Sequence, residues 1–314
     1  MTTMQSRPVS ILIAGAGAVG CTYGARLLNA GHRVTFLARD ATVADLRQHG
    51  LTVRSIDGDL VFPTVDATTQ PSEHADVILL TASANATAAL IPRLAPAVGP
   101  NTILCSLQNG LGNEALIESA WPEANVVGGV AFIGARRLAP CIIEHRDQGH
   151  VTIGPWRDRD LAAAERLHAL LTDAGIRSRL TDDIRVAIWK KLLWNLAFNT
   201  TSALSGAWVH EVLDVEGGEQ LCLDLMHEAR AVAAAEGIQL PADLPDRILR
   251  DTANLRWTTT SMSLAREAGD LLEVEPIAGE VLRRAAKHDI EVPLTRAVAV
   301  LLRAWNKSRR RTAI

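Results

Sequence analysis

The chain has 314 residues, more than one domain usually holds, and 48% of them are apolar, enough for two sizeable cores. Its 32 basic and 35 acidic residues leave a net charge of −3, which gives no electrostatic basis for binding nucleic acid or an anionic membrane. Cys21, Cys105, Cys141 and Cys222 are scattered without a CxxC or Cys/His cluster, and no uncharged apolar run is long enough to span a bilayer. These features predict a soluble cytoplasmic protein with reduced thiols and no metal site.

Pro8 to Ala14 is a short continuous apolar run, the pattern of a parallel strand buried on both faces. It leads into Gly15-Ala16-Gly17-Ala18-Val19-Gly20 and then a helical pattern through Ala30. A GxGxxG between a strand and a helix, with a second strand at Arg33 to Ala38, predicts a dinucleotide fold. Gly15 permits the tight turn, Gly17 admits a pyrophosphate, and Gly20 lets the helix pack close on the strand. The helix N-terminus offers free amides and the positive end of its dipole. At the end of the second strand stands Arg39, whose fork suits the 2′-phosphate of NADP. Asp40 follows at once, and a slight shift would present a carboxylate to a ribose instead.

Leu51 to Phe62 carries strand-like pieces around Asp57-Gly58, a hairpin signal. Two further parallel strands are expected at Asp76 to Ala82 and Thr102 to Leu107, with a helix from Asn85 to Leu94 between them. The second of these delivers Gln108-Asn109-Gly110-Leu111-Gly112 at its C-terminal end, the edge where doubly wound sheets bind ligands. Asn109 there reads equally as a ligand to a nicotinamide ribose or substrate and as an ordinary Asn-Gly turn. Val126 to Ala135 and Cys141 to Gly154 read as strands with turns around Pro140 and Gly149. A helix at 160–174 and a last strand at 176–180 follow, and Thr181 or Asp182 is a plausible N-cap for the next helix.

Beyond this point the patterns are helical, at 182–204, 218–236, 241–254, 275–288 and 293–306. The expected architecture is an α/β Rossmann-type doubly wound domain at 1–180 and an all-α domain at 181–314. A basic run from Lys307 through Arg311 reads as a solvated tail.

The helix at Val186 to Gly206 carries Lys191, Asn195 and Asn199 at i, i+4 and i+8. Steps of four place side chains about 40° apart, so an ammonium and two amides share one stripe of an otherwise apolar helix. Taken alone, the stripe reads as a polar seam satisfied by neighbouring backbone; an upstream hydride carrier and a downstream carboxylate favour a catalytic reading. Lys190, turned by about 100°, belongs to another face. Ser261 lies twelve residues before Glu273, which is flanked by Leu271, Leu272 and Val274. Glu275, before Pro276, reads as a dipole-complementing residue at a helix start.

With these motifs together, the chain resembles the ketopantoate reductase family over essentially its full length. The resemblance rests on GAGAVG at 15–20, Arg39, QNGLG at 108–112, WxKLxxNxxxN at 189–199, and Ser261-Met262 with a Glu twelve residues on. It implies NADPH along the first domain, a 2-keto acid in the cleft between domains, and reduction of ketopantoate to pantoate for pantothenate and coenzyme A synthesis. It implies that Lys191 polarises the carbonyl oxygen and donates the proton, that Glu273 binds the distal hydroxyl, and that Asn195, Asn199 and Ser261 orient substrate. Asn109 and Glu273 would touch the cofactor as well. Where the family often has lysine this chain has Ser83, and Thr258, Ala265, Asp270 and Leu272 replace residues common near its substrate end. Those substitutions leave open a different small 2-keto acid or carbonyl compound. A non-catalytic dinucleotide sensor would be marked by loss of the proton donor, and Lys191 is present. The apolar helices of the second domain allow a homodimer interface.

Overall fold

The apolar run after Pro8 forms β1 (Ser10–Ala14), and its side chains divide between two cores. Ile11 and Ile13 enter one cluster, Leu12 and Ala14 the other, as period-two alternation requires of a strand covered on both faces. The structure, a computed structural model, describes residues 7–253 and 259–312, with side chains through Arg309. The helix α1 (Ala18–Asn29) returns the chain to β2 (Arg33–Leu37), parallel to β1. Next come α2 (Asp40–His49), the antiparallel pair β3 (Leu51–Ser55) and β4 (Leu60–Phe62), and the short β5 (Asp66–Thr68). β6 (Val77–Leu80), α3 (Thr87–Leu94), β7 (Ile103–Ser106) and α4 (Asn113–Ala120) continue the α/β alternation. The long strands β8 (Asn125–Ala139) and β9 (Ile142–Pro155), then α5 (Leu161–Asp173) and β10 (Arg177–Leu180), complete this unit.

The strands form one sheet in the order β4-β3-β9-β8-β7-β6-β1-β2-β5, with β10 beside β9. The β8–β9 pair carries register shifts at three places, and each extra residue bends the ribbon. α1 accordingly touches β3, β4, β8 and β9 as well as β1 and β2, so the sheet curls around it. Gly149 does not end a strand. It lies inside β9 opposite one of the shifts, next to Gln148, and both have positive φ.

The second unit is helical: α6 (Ile184–Trp194), a π-turn (Asn195–Asn199), α7 (Thr200–Ser205), α8 (Val209–Asp214), α9 (Gly218–Ala235) and α10 (Leu244–Ala253). It closes with α11 (Ser261–Ala268), a second π-turn (Glu275–Gly279), α12 (Glu280–Lys287) and α13 (Pro293–Thr312). α9 is its axis, burying Cys222, Leu225, Met226, Ala229, Val232 and Ala233 against the first π-turn, α12 and α13. The basic run Lys307–Arg311 is the helical end of α13, and Lys307 and Arg309 are exposed, as a solvated run would be.

The chain divides after Ile184 rather than at 181, and residues Asn109–Gly112 group with the second unit. Ile184 stays with the first unit because its side chain fills the space over Gly128 and Gly154, where a Cβ would come within 2.9 and 3.1 Å of it. α6 also starts later than expected, so neither Thr181 nor Asp182 immediately precedes its first turn. Among the described residues no helix is long and apolar enough to cross a membrane.

Candidate active site

In the first unit, the three glycines of the 15–20 loop answer three different demands. Gly15 has φ +123°, and a Cβ there would sit 2.3 Å from the Ala82 amide nitrogen, so no side chain fits. At Gly20 a Cβ would meet the Gly15 carbonyl at 2.1 Å and Ile13 at 2.9 Å, which is the close approach of α1 to β1. Gly17 is different. Its φ is −82°, and a Cβ would meet nothing within 4 Å, so neither backbone strain nor packing within the protein calls for glycine there. The open space lies at the N-cap of α1, whose first turn holds Ala18, Val19 and Gly20 and no acidic residue. Such a cradle fits a dinucleotide pyrophosphate. Thr81 donates to the Gly15 carbonyl at 2.8 Å and Arg137 to the Ala16 carbonyl at 2.5 Å, fixing the loop from both sides.

Arg39 is exposed at the N-cap of α2, two residues past the end of β2, and has no ion-pair partner among the described residues. Asp40 is the first residue of α2, where its carboxylate complements the helix dipole. Ser83, at the end of β6, is exposed.

In the second unit, the polar stripe depends on the π-turn. Continued as an α-helix, each step of four would overshoot a full turn by about 40°, and Asn199 would drift from Lys191. A π-turn is wider, so each residue advances the helix by less than 100° and the second step cancels the drift of the first. Three successive hydroxyls bond back to carbonyls within this segment. Thr200 donates to Leu196 O at 2.5 Å, Thr201 to Ala197 O at 2.7 Å, and Ser202 to Phe198 O at 2.5 Å. Trp194 anchors the segment through a 3.1 Å hydrogen bond to Thr252 and ring contact with Phe198.

Asn195 and Asn199 are buried, yet Asn195 Nδ2 and Asn199 Oδ1 have no hydrogen-bond partner among the described residues. Buried amide atoms are normally satisfied, so the pair is poised for a ligand with both acceptors and donors. Asn199 Nδ2 approaches the exposed Ser261 Oγ at 3.5 Å, the outer limit of a hydrogen bond. Lys191 is half-buried, and burial pushes its ammonium from the ordinary 10.5 down to about 8, with the Glu273 carboxylate pulling it partly back up. Lys190 is exposed, as its different azimuth requires.

Glu273 follows α11 and accepts a 3.1 Å hydrogen bond from Asn109 Nδ2. Asn109 reaches it because its loop is tied to the second π-turn: Leu111 N donates to Pro276 O at 2.8 Å, and a Cβ at Gly110 would lie 2.2 Å from that oxygen. The Asn-Gly pair is therefore a turn, with Gly110 at φ +84°, whose asparagine also donates to Glu273. Asn306 on α13 holds the other side. It donates to the Leu272 carbonyl at 3.0 Å and accepts from the Leu272 amide at 2.8 Å, clamping the backbone just before Glu273. Sequence reading missed Asn306, because nothing near it in the chain marks a residue that acts 34 positions away.

Thus Lys191, Asn195, Asn199, Ser261, Glu273 and Asn109 belong to the second unit, while the glycine loop and Arg39 belong to the first. Leu272 is fully buried, Ala265 half-buried and Asp270 exposed; Thr258 lies outside the described residues.

Family profiles described as "Ketopantoate reductase PanE/ApbA" and "Ketopantoate reductase PanE/ApbA C terminal" match residues 11–158 and 183–306. The chain is 32% identical over 300 residues to a 2-dehydropantoate 2-reductase of Nostoc sp., covering 92% of each. It is similar in structure to 2-dehydropantoate 2-reductase from Geobacter metallireducens, with 33% identity, a TM-score of 0.89, and coverage of 94% of this chain and 99% of that one. A ternary structure of D-mandelate dehydrogenase with NADH and anilino(oxo)acetate shares the fold, with a TM-score of 0.89, 23% identity, and coverage of 96% and 99%.

Proposed function

The chain belongs to the ketopantoate reductase family of oxidoreductases, and on that premise we propose that it reduces 2-dehydropantoate to pantoate with NADPH, in pantothenate and coenzyme A synthesis. The observation that carries this reading is the stripe of Lys191, Asn195 and Asn199 beside Glu273, with buried amide atoms that find no partner among the described residues.

When bound, the nicotinamide cofactor supplies a hydride to the keto carbon. Gly15, Ala16, Gly17, Ala18, Val19 and Gly20 would hold its pyrophosphate, and Arg39, exposed at the N-cap of α2 beyond β2, would take the adenosine 2′-phosphate. Lys191 hydrogen-bonds the keto oxygen. As charge builds there, its ammonium stabilises the alkoxide more than the ground-state carbonyl, and then passes its proton to it. A lysine brought down to about 8 is a stronger acid than a free one while still protonated at neutral pH. Glu273, steadied by Asn109, accepts the distal hydroxyl of the substrate, and Asn195, Asn199 and Ser261 orient the rest.

A second reading keeps the chemistry with a different small 2-keto acid, and the substitutions at Ala265 and Asp270 favour it. Leu272 does not, because its side chain is buried in the core of its unit. The deciding experiment follows loss of nicotinamide absorbance with ketopantoate, beside other 2-keto acids and with NADH in place of NADPH. NADPH-dependent turnover highest for ketopantoate is expected. A better substrate in the panel would move the assignment to the second reading, and equal rates with NADH would remove the cofactor preference.

A further inference from the structure

We propose that Arg137 is a second guanidinium on the adenosine 2′-phosphate of the cofactor, and so a residue that sets the choice of NADPH over NADH. The proposal deepens the reading above and rests on it.

Arg137 lies near the outer end of β8, far along the sequence from both the glycine loop and Arg39. The curl of the β8–β9 ribbon over α1 brings it back. The last register shift in that ribbon falls between Arg137 and Ala139, beside the tight turn where Cys141 has φ +60°, and a bulge of this kind re-aims the neighbouring side chain. The result is the 2.5 Å hydrogen bond from Arg137 Nη2 to the Ala16 carbonyl, inside the glycine loop.

That bond uses one of the five N–H groups of the fork, and Arg137 has no other hydrogen bond or ion pair among the described residues. Arg137 also borders a small, mostly apolar cavity lined by Cys21, Leu46, Cys141 and Ile143, with Thr42 and Asp45 of α2 at its edge. Thr42 stands in the first turn of α2, three residues after Arg39 at its N-cap. Arg39 and Arg137 therefore bracket the start of α2, one from β2 and one from the ribbon. Asp45, one turn further along α2, borders the same cavity but makes no ion pair with Arg137 among the described residues, which leaves the fork free to take an anion.

An adenosine 2′-phosphate in an α/β dinucleotide fold is read beyond the end of the second strand. Two guanidinium forks and a threonine hydroxyl there match its dianionic oxygens, whereas the ribose hydroxyl of NADH needs neither fork. Charge-assisted bonds of this kind change affinity by about tenfold to a hundredfold.

The test measures equilibrium binding of adenosine 2′,5′-bisphosphate, 5′-AMP, NADPH and NADH to wild type, Arg137→Ala and Arg137→Lys, with thermal melting to confirm folding. Arg137→Ala is expected to weaken adenosine 2′,5′-bisphosphate and NADPH at least tenfold while moving 5′-AMP and NADH less than twofold. Arg137→Lys, which keeps the charge but not the fork, should fall between; it serves alone if the alanine variant does not fold. An equal loss for phosphorylated and unphosphorylated ligands would assign Arg137 to the pyrophosphate or to loop shape, and no loss would leave it outside the site; either overturns the proposal. If wild type binds adenosine 2′,5′-bisphosphate no better than 5′-AMP, the NADP reading itself falls, separately from the role of Arg137.

Discussion

Lys191 offers the most demanding test, because one physical cause predicts two measurements of opposite sign. Burial lowers its pKa from 10.5 to about 8, with Glu273 opposing. As a proton donor it must be charged, so kcat/KM for keto acid reduction should hold level below about pH 8 and fall tenfold per unit above it. In the reverse direction, oxidation of the hydroxy acid, the neutral amine is the base, and the rate should rise through the same pH. The depressed pKa also means that the folded state binds the proton less well than the unfolded chain. Below pH 8 that cost is constant at about 2 to 3 kcal/mol after allowing for water around a half-buried amine, and it disappears as pH rises towards 10.5. Lys191→Met should therefore lose about a hundredfold to ten-thousandfold in turnover yet melt several degrees higher at pH 7. NADPH binding, proposed to rest chiefly on the glycine loop and Arg39, should be largely unchanged. A rate that stays flat to pH 10, or near-normal turnover in Lys191→Met, would remove Lys191 from the chemistry. A lower melting temperature in that variant would refute the burial cost.

Gly17→Ala should fold with stability within about 1 kcal/mol of wild type, since its Cβ meets nothing in the protein, but bind NADPH at least tenfold more weakly. Unchanged affinity in a titration would mean that the open space is not the pyrophosphate cradle. Glu236 is held down to about 2, despite its burial, by His288, Lys287 and Arg284. Its contribution, on the order of 2 kcal/mol, is present above about pH 4.5 and lost as pH falls towards 2, so Glu236→Gln should flatten the acid limb of a melting-temperature profile. Glu114, buried at the start of α4, is pushed up to about 7. Its stabilisation is complete below about pH 4.5 and is lost as pH rises through 7, so Glu114→Gln should melt higher than wild type at pH 8 and not at pH 4. Parallel profiles for the two proteins would refute that assignment.

The sheet was legible because strands buried on both faces are written as unbroken apolar runs, as at Ile11 to Ala14 and Val77 to Leu80. α2 was not, since only Val43 and Leu46 of its ten residues are buried and two apolar positions make no stripe. α11 buries only Met262 and Ser263 and failed to register for the same reason. The curl of the β8–β9 ribbon was hidden too, because a bulge changes pairing and leaves the apolar alternation nearly intact. That is why Arg39, adjacent to its strand end, could be named from sequence while Arg137 could not.

The polar stripe was found by a rule that is only approximately true of the helix it describes. Spacing by four picks out Lys191, Asn195 and Asn199 because an α-helix nearly repeats at four, and the residual drift is what the π-turn removes. Thr200, Thr201 and Ser202 follow the π-turn directly, and each hydroxyl bonds the carbonyl four residues back, in the turn itself. The widening has a stability cost, and an uninterrupted α-helix would have avoided it. Placing two buried, partly unpaired amides in line with a lysine is a reason for the chain to bear that cost, and the same substitutions can weigh it. Thr200→Ala or Ser202→Ala should lower kcat with little change in NADPH affinity, by letting the stripe fall out of line. Unaltered kcat in folded variants of both would show that the alignment survives without the hydroxyls, and that the π-turn is set by packing against α9 instead.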